Sequence, residues 1–585
     1  MPLITGSKTK PSYDVIVVGS GAGGGMSAYV LAKAGVKVLM LEAGRNYDPI
    51  TETPMFELPQ DAPLRGLVPE KPFGYFDATV DGGWQVPNEP YGVKREKDGA
   101  WVDGGDIARD GKGVSFAWWR SRMLGGRTNH WGRISLRMGP YDFKPYSRDG
   151  LGIDWPLDYE DLAPYYDRTE ALIGVFGSNE GLENTPNSSP GVLQPPPMPR
   201  GYELLTKKAC DGLGIPVIPS HLAILTQPLN DRAACFYATD CGRGCSIKAN
   251  FQSTTVLLPP AVATGNLDII TDAMVREVTV DQNGRATGVS YIDKATGKDC
   301  RAEATVVVLA ASGCESGRIL LNSKSALFPD GLANGSGKVG RYLMDTVGSS
   351  VSGQIPALEN TPPHNEDGVS AMHMYMPWWK YSDHQKLGFA RGYHIEFGGG
   401  RRMPGMALGQ SITGLTKGAY GKKLKDEARR YYGSIIGFAG RGEMIPNDDC
   451  YCEIDPERKD KWGIPALRFH WKWSDHELRQ AEHMQETFVE IIESMGGKAT
   501  RKPVGKAIEP GGWIIHEVGT TCMGVKKQNS VLNQYCQAWE VPNLFVTDGG
   551  PFVSNADKNP TLSIMALAMR SSEYLIEELR KGNLG

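Results

Sequence analysis

The sequence predicts an α/β fold in which a parallel-sheet domain is interleaved with a second domain built on a mostly antiparallel sheet. Three observations predict it. An apolar run, Tyr13 to Val18, passes through a glycine-rich turn into a helix and a second strand. A second strongly apolar run, Ala304 to Ala311, is followed by Ser312-Gly313 and belongs to the same kind of sheet. Between Gly348 and Trp473, short strand-like stretches such as Tyr393 to Phe397 and Ser434 to Phe438 alternate with turns.

Composition supports a folded chain with a small partner. The 585 residues amount to roughly four domain-equivalents, and 40% apolar against 22% charged residues exclude disorder driven by low hydrophobicity. Lysine plus arginine (63) nearly balance aspartate plus glutamate (67), a net charge of -4, so no basic field is expected to hold nucleic acid or an acidic membrane. Glycine is in excess, 72 residues, about 12% against an average near 7%, with no collagen period. Backbone must be approached closely somewhere. No apolar run approaches the ~18 residues of a membrane span, and Met1 to Pro11 has lysines but no apolar core, so no secretory signal is expected in this chain.

The elements follow in order. Tyr13 to Val18 is a buried parallel strand, Met26 to Ala34 a helix stopped by Gly35, and Val36 to Leu41 a second strand ending at Glu42. Tyr47 to Lys112, rich in proline, glycine and aromatics, predicts an excursion or lid. A helical pattern over Trp155 to Phe176 and the proline-rich connector Pro186 to Pro199 open another domain. Asn266 to Val280 and Ala304 to Ala311 return to the sheet. Ser474 to Met495 reads as an amphipathic helix, with Ser474 and Glu477 as its capping box and Gly496 as its stop. A last helix starts at Pro560, a residue suited to a first helical position, with Asn559 as its N-cap.

The turn Gly19-x-Gly21-x-x-Gly24, after a strand, opening a helix and followed by Glu42 at the end of the next strand, is a dinucleotide fingerprint in its proper, Rossmann-like context. Its glycines admit a pyrophosphate to the positive helix terminus, and the carboxylate accepts from a ribose hydroxyl. Both FAD and NAD fit that description.

The chain resembles the glucose-methanol-choline (GMC) family of flavoproteins. The resemblance rests on Asp14 to Gly24 with Leu41-Glu42-Ala43-Gly44, on Leu124-Gly125-Gly126-Arg127-Thr128-Asn129-His130-Trp131, on Leu309 to Gly313 leading to Leu320-Leu321, on Val339 to Asp345, and on His516 to Met569. It implies FAD, with contacts at Gly19, Gly21, Gly24, Glu42, Gly125, Gly126, Asn129, His130, Val275, Asp548, Pro560 and Thr561. In some members the histidine matching His130 is bonded covalently to the flavin and in others it only packs against it; both remain open. Thr346 departs from the family, which often has histidine there. The expected domains are a discontinuous FAD-binding domain over 1–46, 113–150, 255–347 and 515–585, a lid over 47–112, and a substrate domain over 151–254 and 348–514.

His516, in His516-Glu517-Val518-Gly519-Thr520, matches the family's active-site histidine, and Asn559, before Pro560, its paired asparagine. Oxidising an alcohol removes a proton from oxygen and a hydride from carbon. A neutral imidazole suits the first task and flavin the second, and Asn559 would orient the hydroxyl. A helix N-terminus behind Asn559 would favour a reduced, anionic flavin.

Cys235-x5-Cys241-x3-Cys245 sets three thiols in eleven residues, within the loop 234–250. Zinc would need a fourth protein ligand close by, and none is near, while a disulfide would strand one cysteine; Cys210 is the nearby candidate for a fourth ligand of an iron–sulfur cluster. The spacing resembles that of bacterial FAD sugar dehydrogenases with a 3Fe-4S cluster. That resemblance implies a dehydrogenase passing electrons to a cytochrome c, a small subunit carrying the export signal for both chains, and a periplasmic location with membrane contact only through partners; a cytoplasmic location is the alternative. It also implies a sugar substrate, with oxidation at C3 of a glucoside or glucose to a 3-keto sugar. Glucose 1-dehydrogenase, gluconate 2-dehydrogenase and a non-catalytic flavoprotein electron carrier are the alternatives. Trp118, Trp119, Trp378 and Trp379 are candidates to stack on a sugar, with core packing as the default for each.

Overall fold

The computed structural model describes residues 12–52, 92–94, 101–103, 116, 118, 120–129, 131–236, 241, 244–362, 372–383, 386–401, 414–460, 462–500 and 507–585. Most of the expected lid, together with Trp119 and His130, lies outside the described residues.

A seven-stranded sheet has the order Leu267–Ile270, Val38–Leu41, Tyr13–Val18, Lys298–Leu309, Ala286–Asp293, Ala273–Val280, and Leu544–Val546 also pairs with Lys298–Leu309. Lys298–Leu309 serves two neighbourhoods. Its first half pairs antiparallel with Ala286–Asp293, and its second half, all buried from Val306 onward, runs parallel to Tyr13–Val18 and to Leu544–Val546. The register sets Val18 beside both Leu41 and Leu309, and Leu309 beside Val546. The residues leaving these strands, Gly19, Glu42, Ala310 and Thr547, therefore gather at one sheet edge, where α/β folds bind ligands.

Asn266 to Val280 does not form one strand. Asp272, at φ 57, breaks it into Leu267–Ile270, parallel to Val38–Leu41, and Ala273–Val280, antiparallel to Ala286–Asp293. Helix Ala22–Lys33 begins four residues before the expected Met26 and packs against the C-terminal helix Thr561–Arg580.

The second sheet has six strands, in the order Lys498–Ala499, Val347–Gln354, Ile435–Gly442, Tyr393–Gly399, Met374–Met376, Ile218–Pro219, and every pair is antiparallel. Burial alternates strictly along Ile435–Gly442, as a strand with one covered face requires. The cover is helix Asp475–Ser494, capped by Ser474, whose hydroxyl accepts from the His476 N–H at 3.3 Å, while Glu477 accepts from the Ser474 N–H at 2.8 Å. The fold is thus mixed α/β, as the sequence predicts.

Candidate active site

The sheet edge opens on a cavity of about 350 Å³ that runs from the glycine turn to His516 and Asn559. At the turn, Glu42 accepts from the N–H groups of Ser20 and Gly44 at 3.1 and 2.7 Å and from the Ser20 hydroxyl. Burial raises its pKa against these bonds. Ser20 Oγ in turn accepts from the Gly125 N–H at 2.8 Å, which ties the second glycine pair to the first. Gly19, Gly21, Glu42, Gly126, Val275, Asp548, His516, Asn559, Pro560 and Thr561 line the cavity. Gly24, Gly125 and Asn129 lie behind its wall. A Cβ at Gly24 would drive into the Gly19 carbonyl, and Asn129 is occupied by the Leu124 carbonyl at 2.8 Å and the Thr254 hydroxyl at 3.1 Å. Asp548 accepts from Ser316 Oγ at 2.5 Å and the Gly550 N–H at 2.8 Å, and burial pushes it up to about 6.

At the far end, the His516 N–H donates to Asp345 at 2.9 Å, and its ring is held at both nitrogens. Nδ1 lies 3.0 Å from Thr346 Oγ1, and Nε2 lies 3.2 Å from Asn559 Nδ2. An amide nitrogen only donates, so Nε2 is the unprotonated nitrogen and Nδ1 carries the hydrogen. Burial, followed by the positive charge of Arg441, pushes the ring down to about 3, so the imidazole is neutral. Thr346, the departure from the family pattern, thus supplies the acceptor that fixes the tautomer.

Asn559 is not the N-cap. The helix begins at Thr561, Pro560 occupies the cap position, and no side chain caps it. The amide is engaged instead with His516 and, at 3.3 Å, with Glu396 Oε1. Glu396 is half-buried, and Arg441 at 2.9 Å, His394 and His516 hold it well below the usual carboxylate range against the cost of desolvation. Arg127 makes a two-pronged ion pair with Glu517, with NH1 at 2.9 Å from Oε2 and NH2 at 2.5 Å from Oε1. Sequence reasoning did not single out Glu396, Arg441, Arg127 or Glu517. Arg127 and Glu517 stand inside quoted motifs, whereas Glu396 and Arg441 come from neighbouring strands of the second sheet and carry no local signal.

Family models for the GMC oxidoreductases match residues 13–345 and 446–568. The chain belongs to the GMC oxidoreductase family. It is 30% identical to 2-methyl-1,2-propanediol dehydrogenase of Mycolicibacterium austroafricanum over 96% of this chain and 95% of that one. It is 27% identical to the fructose dehydrogenase large subunit of Gluconobacter japonicus over 98% and 99%. Formate oxidase of Aspergillus oryzae superposes with a TM-score of 0.64 at 13% identity, covering 99% of this chain and 100% of that one, a likeness of fold.

Membership makes the protein an FAD-dependent oxidoreductase acting on CH–OH groups, and the cavity fits the cofactor. Nothing lies within 4 Å of a Cβ built on Gly21, which leaves the turn open for a ligand. Two wall residues, Ser312 and Asn559, keep buried oxygens (Oγ and Oδ1) with no hydrogen-bond partner among the described residues. Gly19, Gly21, Glu42 and Asp548 would hold the dinucleotide, and FAD would supply the hydride acceptor.

The three spaced cysteines lie in different surroundings. Cys241 is buried in a small apolar cluster with Ile134, Leu222 and Ile224, Cys235 is half-buried against it, and Cys245 is near enough to Arg232 for their charges to interact. Among the described residues no group of three or more His, Cys, Asp or Glu side chains is arranged to hold a metal ion; Gly242 and Arg243 lie outside them. Cys210 belongs to the main core, and burial pushes it up to about 12. Trp118 and Trp378 are buried among Phe469 and Tyr393 respectively and do not line the cavity, whereas Trp131 does. Among the described residues no helix is long and apolar enough to cross a membrane.

Proposed function

We propose that the protein is an FAD-dependent dehydrogenase that oxidises a secondary hydroxyl of a neutral sugar or polyol. The observation that carries this reading is the Asn559 amide set between His516 Nε2 and Glu396. A substrate hydroxyl inserted there gives its proton to neutral His516 Nε2, and Asn559, anchored by Glu396, orients the oxygen. FAD, when bound, supplies the acceptor for the hydride leaving the same carbon.

Charge supports a neutral substrate. Each cationic group at this end is matched: Arg127 by Glu517 and Arg441 by Glu396, with His516 neutral. A sugar acid would meet no surplus cation. The names of the two relatives, a vicinal diol dehydrogenase and a fructose dehydrogenase, point the same way. Within this class we favour C3 of a glucoside or glucose as the position oxidised.

The cysteine spacing and the sequence resemblance support a 3Fe-4S cluster on Cys235, Cys241 and Cys245, a cytochrome c acceptor, a small partner subunit carrying the export signal and a periplasmic location. Iron and labile-sulfide analysis with EPR of the anaerobically purified protein tests the cluster; its absence removes the electron-relay part of the proposal and leaves the alcohol chemistry standing. The reaction itself is tested by anaerobic bleaching of the flavin bands with D-glucose, D-fructose, sucrose and 2-methyl-1,2-propanediol, followed by NMR of the product. A 3-keto sugar is the expected product. A lactone overturns the C3 assignment; bleaching by none of the four, or only by 2-methyl-1,2-propanediol, which has no secondary hydroxyl, overturns the reading.

A further inference from the structure

Beside Asn559 lies a buried ion cluster with no part in the chemistry above. Lys558 is 8% exposed. Its Nζ contacts Asp557 Oδ1, Asp142 Oδ2 at 3.3 Å and the Tyr381 hydroxyl at 3.3 Å. Asp142 is itself fixed, accepting from the Gly139 N–H at 2.7 Å and from Asn184 Nδ2 at 3.0 Å. Desolvating an ammonium costs several kcal/mol unless carboxylates compensate it, and here two do.

The cluster is joined to the active site on both sides. Through the backbone, Lys558 is the residue before Asn559. Through space, the Asp557 carbonyl accepts from His394 Nδ1, and His394 Nε2 lies 3.3 Å from Glu396 Oε1, the oxygen that also holds the Asn559 amide. His394 and Glu396 are two apart on strand Tyr393–Gly399 and so share a face. Residues 557 and 559 thus dock on one strand, while the side chain between them is anchored on Asp142 of the short helix Pro140–Phe143 and on Tyr381. The helix that follows gives no side-chain cap that would fix Asn559 from behind.

We propose that Lys558 is the positioning residue for Asn559: its anchorage to Asp142 and Asp557 sets the height of the amide above strand Tyr393–Gly399 and hence its place beside His516 Nε2. The proposal rests on the alcohol-oxidising reading of the site. Its basis is geometric, so a misplacement of Asn559 by about 1 Å is enough to cost about a hundredfold in the chemical step.

The test compares Lys558→Met, the charge-balanced double variant Lys558→Met/Asp142→Asn and Asn559→Ala with the wild-type holoenzyme. The readouts are flavin content, melting temperature and anaerobic stopped-flow flavin reduction, with whichever of D-glucose, D-fructose, sucrose and 2-methyl-1,2-propanediol reduces the wild type, in protiated and C-deuterated form. Lys558→Met leaves two buried carboxylates uncompensated and can fail to fold; the double variant removes one of them and keeps the question answerable. The expected result for the folded double variant is full flavin content, KM within about threefold, a reduction rate about a hundredfold lower and an increased deuterium isotope effect. A loss of stability without a change in rate or isotope effect would mean that the cluster is structural only, and overturns the proposal. If Asn559→Ala reduces its flavin at the wild-type rate, the reading of the site fails, and this proposal with it.

Discussion

The Thr346 hydroxyl lies 3.0 Å from Nδ1 of His516, and this contact determines which imidazole nitrogen can take a proton. Thr346 Oγ1 also accepts from Asn555 Nδ2 at 3.2 Å. With Nδ1–H donating to Thr346, Nε2 keeps its lone pair and faces Asn559 and the cavity.

Thr346→Val keeps the side-chain shape and removes the acceptor. It leaves the Asn555 amide and the Nδ1–H without their partner, a cost of about 1–3 kcal/mol in stability, and it lets the ring adopt the wrong tautomer. A rate of flavin reduction about tenfold or more below wild type is expected, with flavin content retained and Thr346→Ser close to wild type. Stopped-flow reduction of the three proteins checks this, and a wild-type rate in the valine variant would remove Thr346 from the mechanism.

The pH dependence follows from two desolvated groups with opposite signs. Burial and Arg441 push His516 down to about 3 from 6.5, so between these values the unfolded chain binds the extra proton. This contribution to stability is present above pH 6.5 and is lost as pH falls towards 3. Burial and the neighbouring Glu517 push Asp345 up to about 7 from 3.8, so there the native state binds the extra proton and stability falls as pH rises through that window. Asp345→Asn should therefore flatten the decline in unfolding free energy between pH 3.8 and about 7, measured by denaturant titration at a series of pH values. The rate of flavin reduction should show no loss on acidification near pH 6.5, because the base is already neutral. A limb centred at 6.5 would contradict the desolvation of His516.

Two glycines of one turn separate cofactor binding from folding. Gly21 has open space where its Cβ would stand, so Gly21→Ala should fold with the melting temperature of the apoprotein unchanged and yet purify with a reduced flavin-to-protein ratio. At Gly24 the added methyl meets the Gly19 carbonyl, and Gly24→Ala should destabilise the apoprotein itself by about 1–3 kcal/mol. Calorimetry of the apoproteins alongside the absorbance ratio distinguishes the two. Equal behaviour of the variants would place Gly21 away from the cofactor.

What was legible in the sequence was local. The strand Tyr13–Val18, its glycine turn and the capped helix Asp475–Ser494 are each specified by residues within a few positions of one another. His516 and Asn559 were legible through motif resemblance, and the cavity brings them together. The break at Asp272 was hidden because a single left-handed residue inside an apolar run leaves the hydrophobic pattern intact. Glu396 and Arg441 were hidden because their meaning depends on strand pairing: His394 is set against Arg441 and Glu396 against Ala439 only once the two strands are in register. Asn-Pro suits a helix start and so suggests a cap at Asn559, yet its buried amide has two partners across the cavity and is bound more specifically than a cap would require.

Arg127 lines the cavity, its side chain 27% exposed, and Glu517, almost fully buried, is its matching carboxylate. While that pair is intact, an anionic substrate must bring its charge towards Glu517 and Glu396 without gaining a free cation, and an unfavourable charge contact costs several kcal/mol. D-gluconate should therefore leave the wild-type flavin oxidised under conditions in which a neutral substrate bleaches it. Glu517→Gln preserves the size of the side chain and most of its hydrogen bonding but leaves Arg127 with a net charge facing the cavity. Selectivity for gluconate over the neutral substrate, taken as the ratio of kcat/KM values, should then rise by at least about tenfold. The same substitution removes the carboxylate that helps keep Asp345 protonated, so the stability decline assigned to Asp345 should move to lower pH. Both shifts are expected from one variant. Rapid reduction of the wild type by gluconate would refute the charge-balance argument and restore the sugar-acid reading of the site.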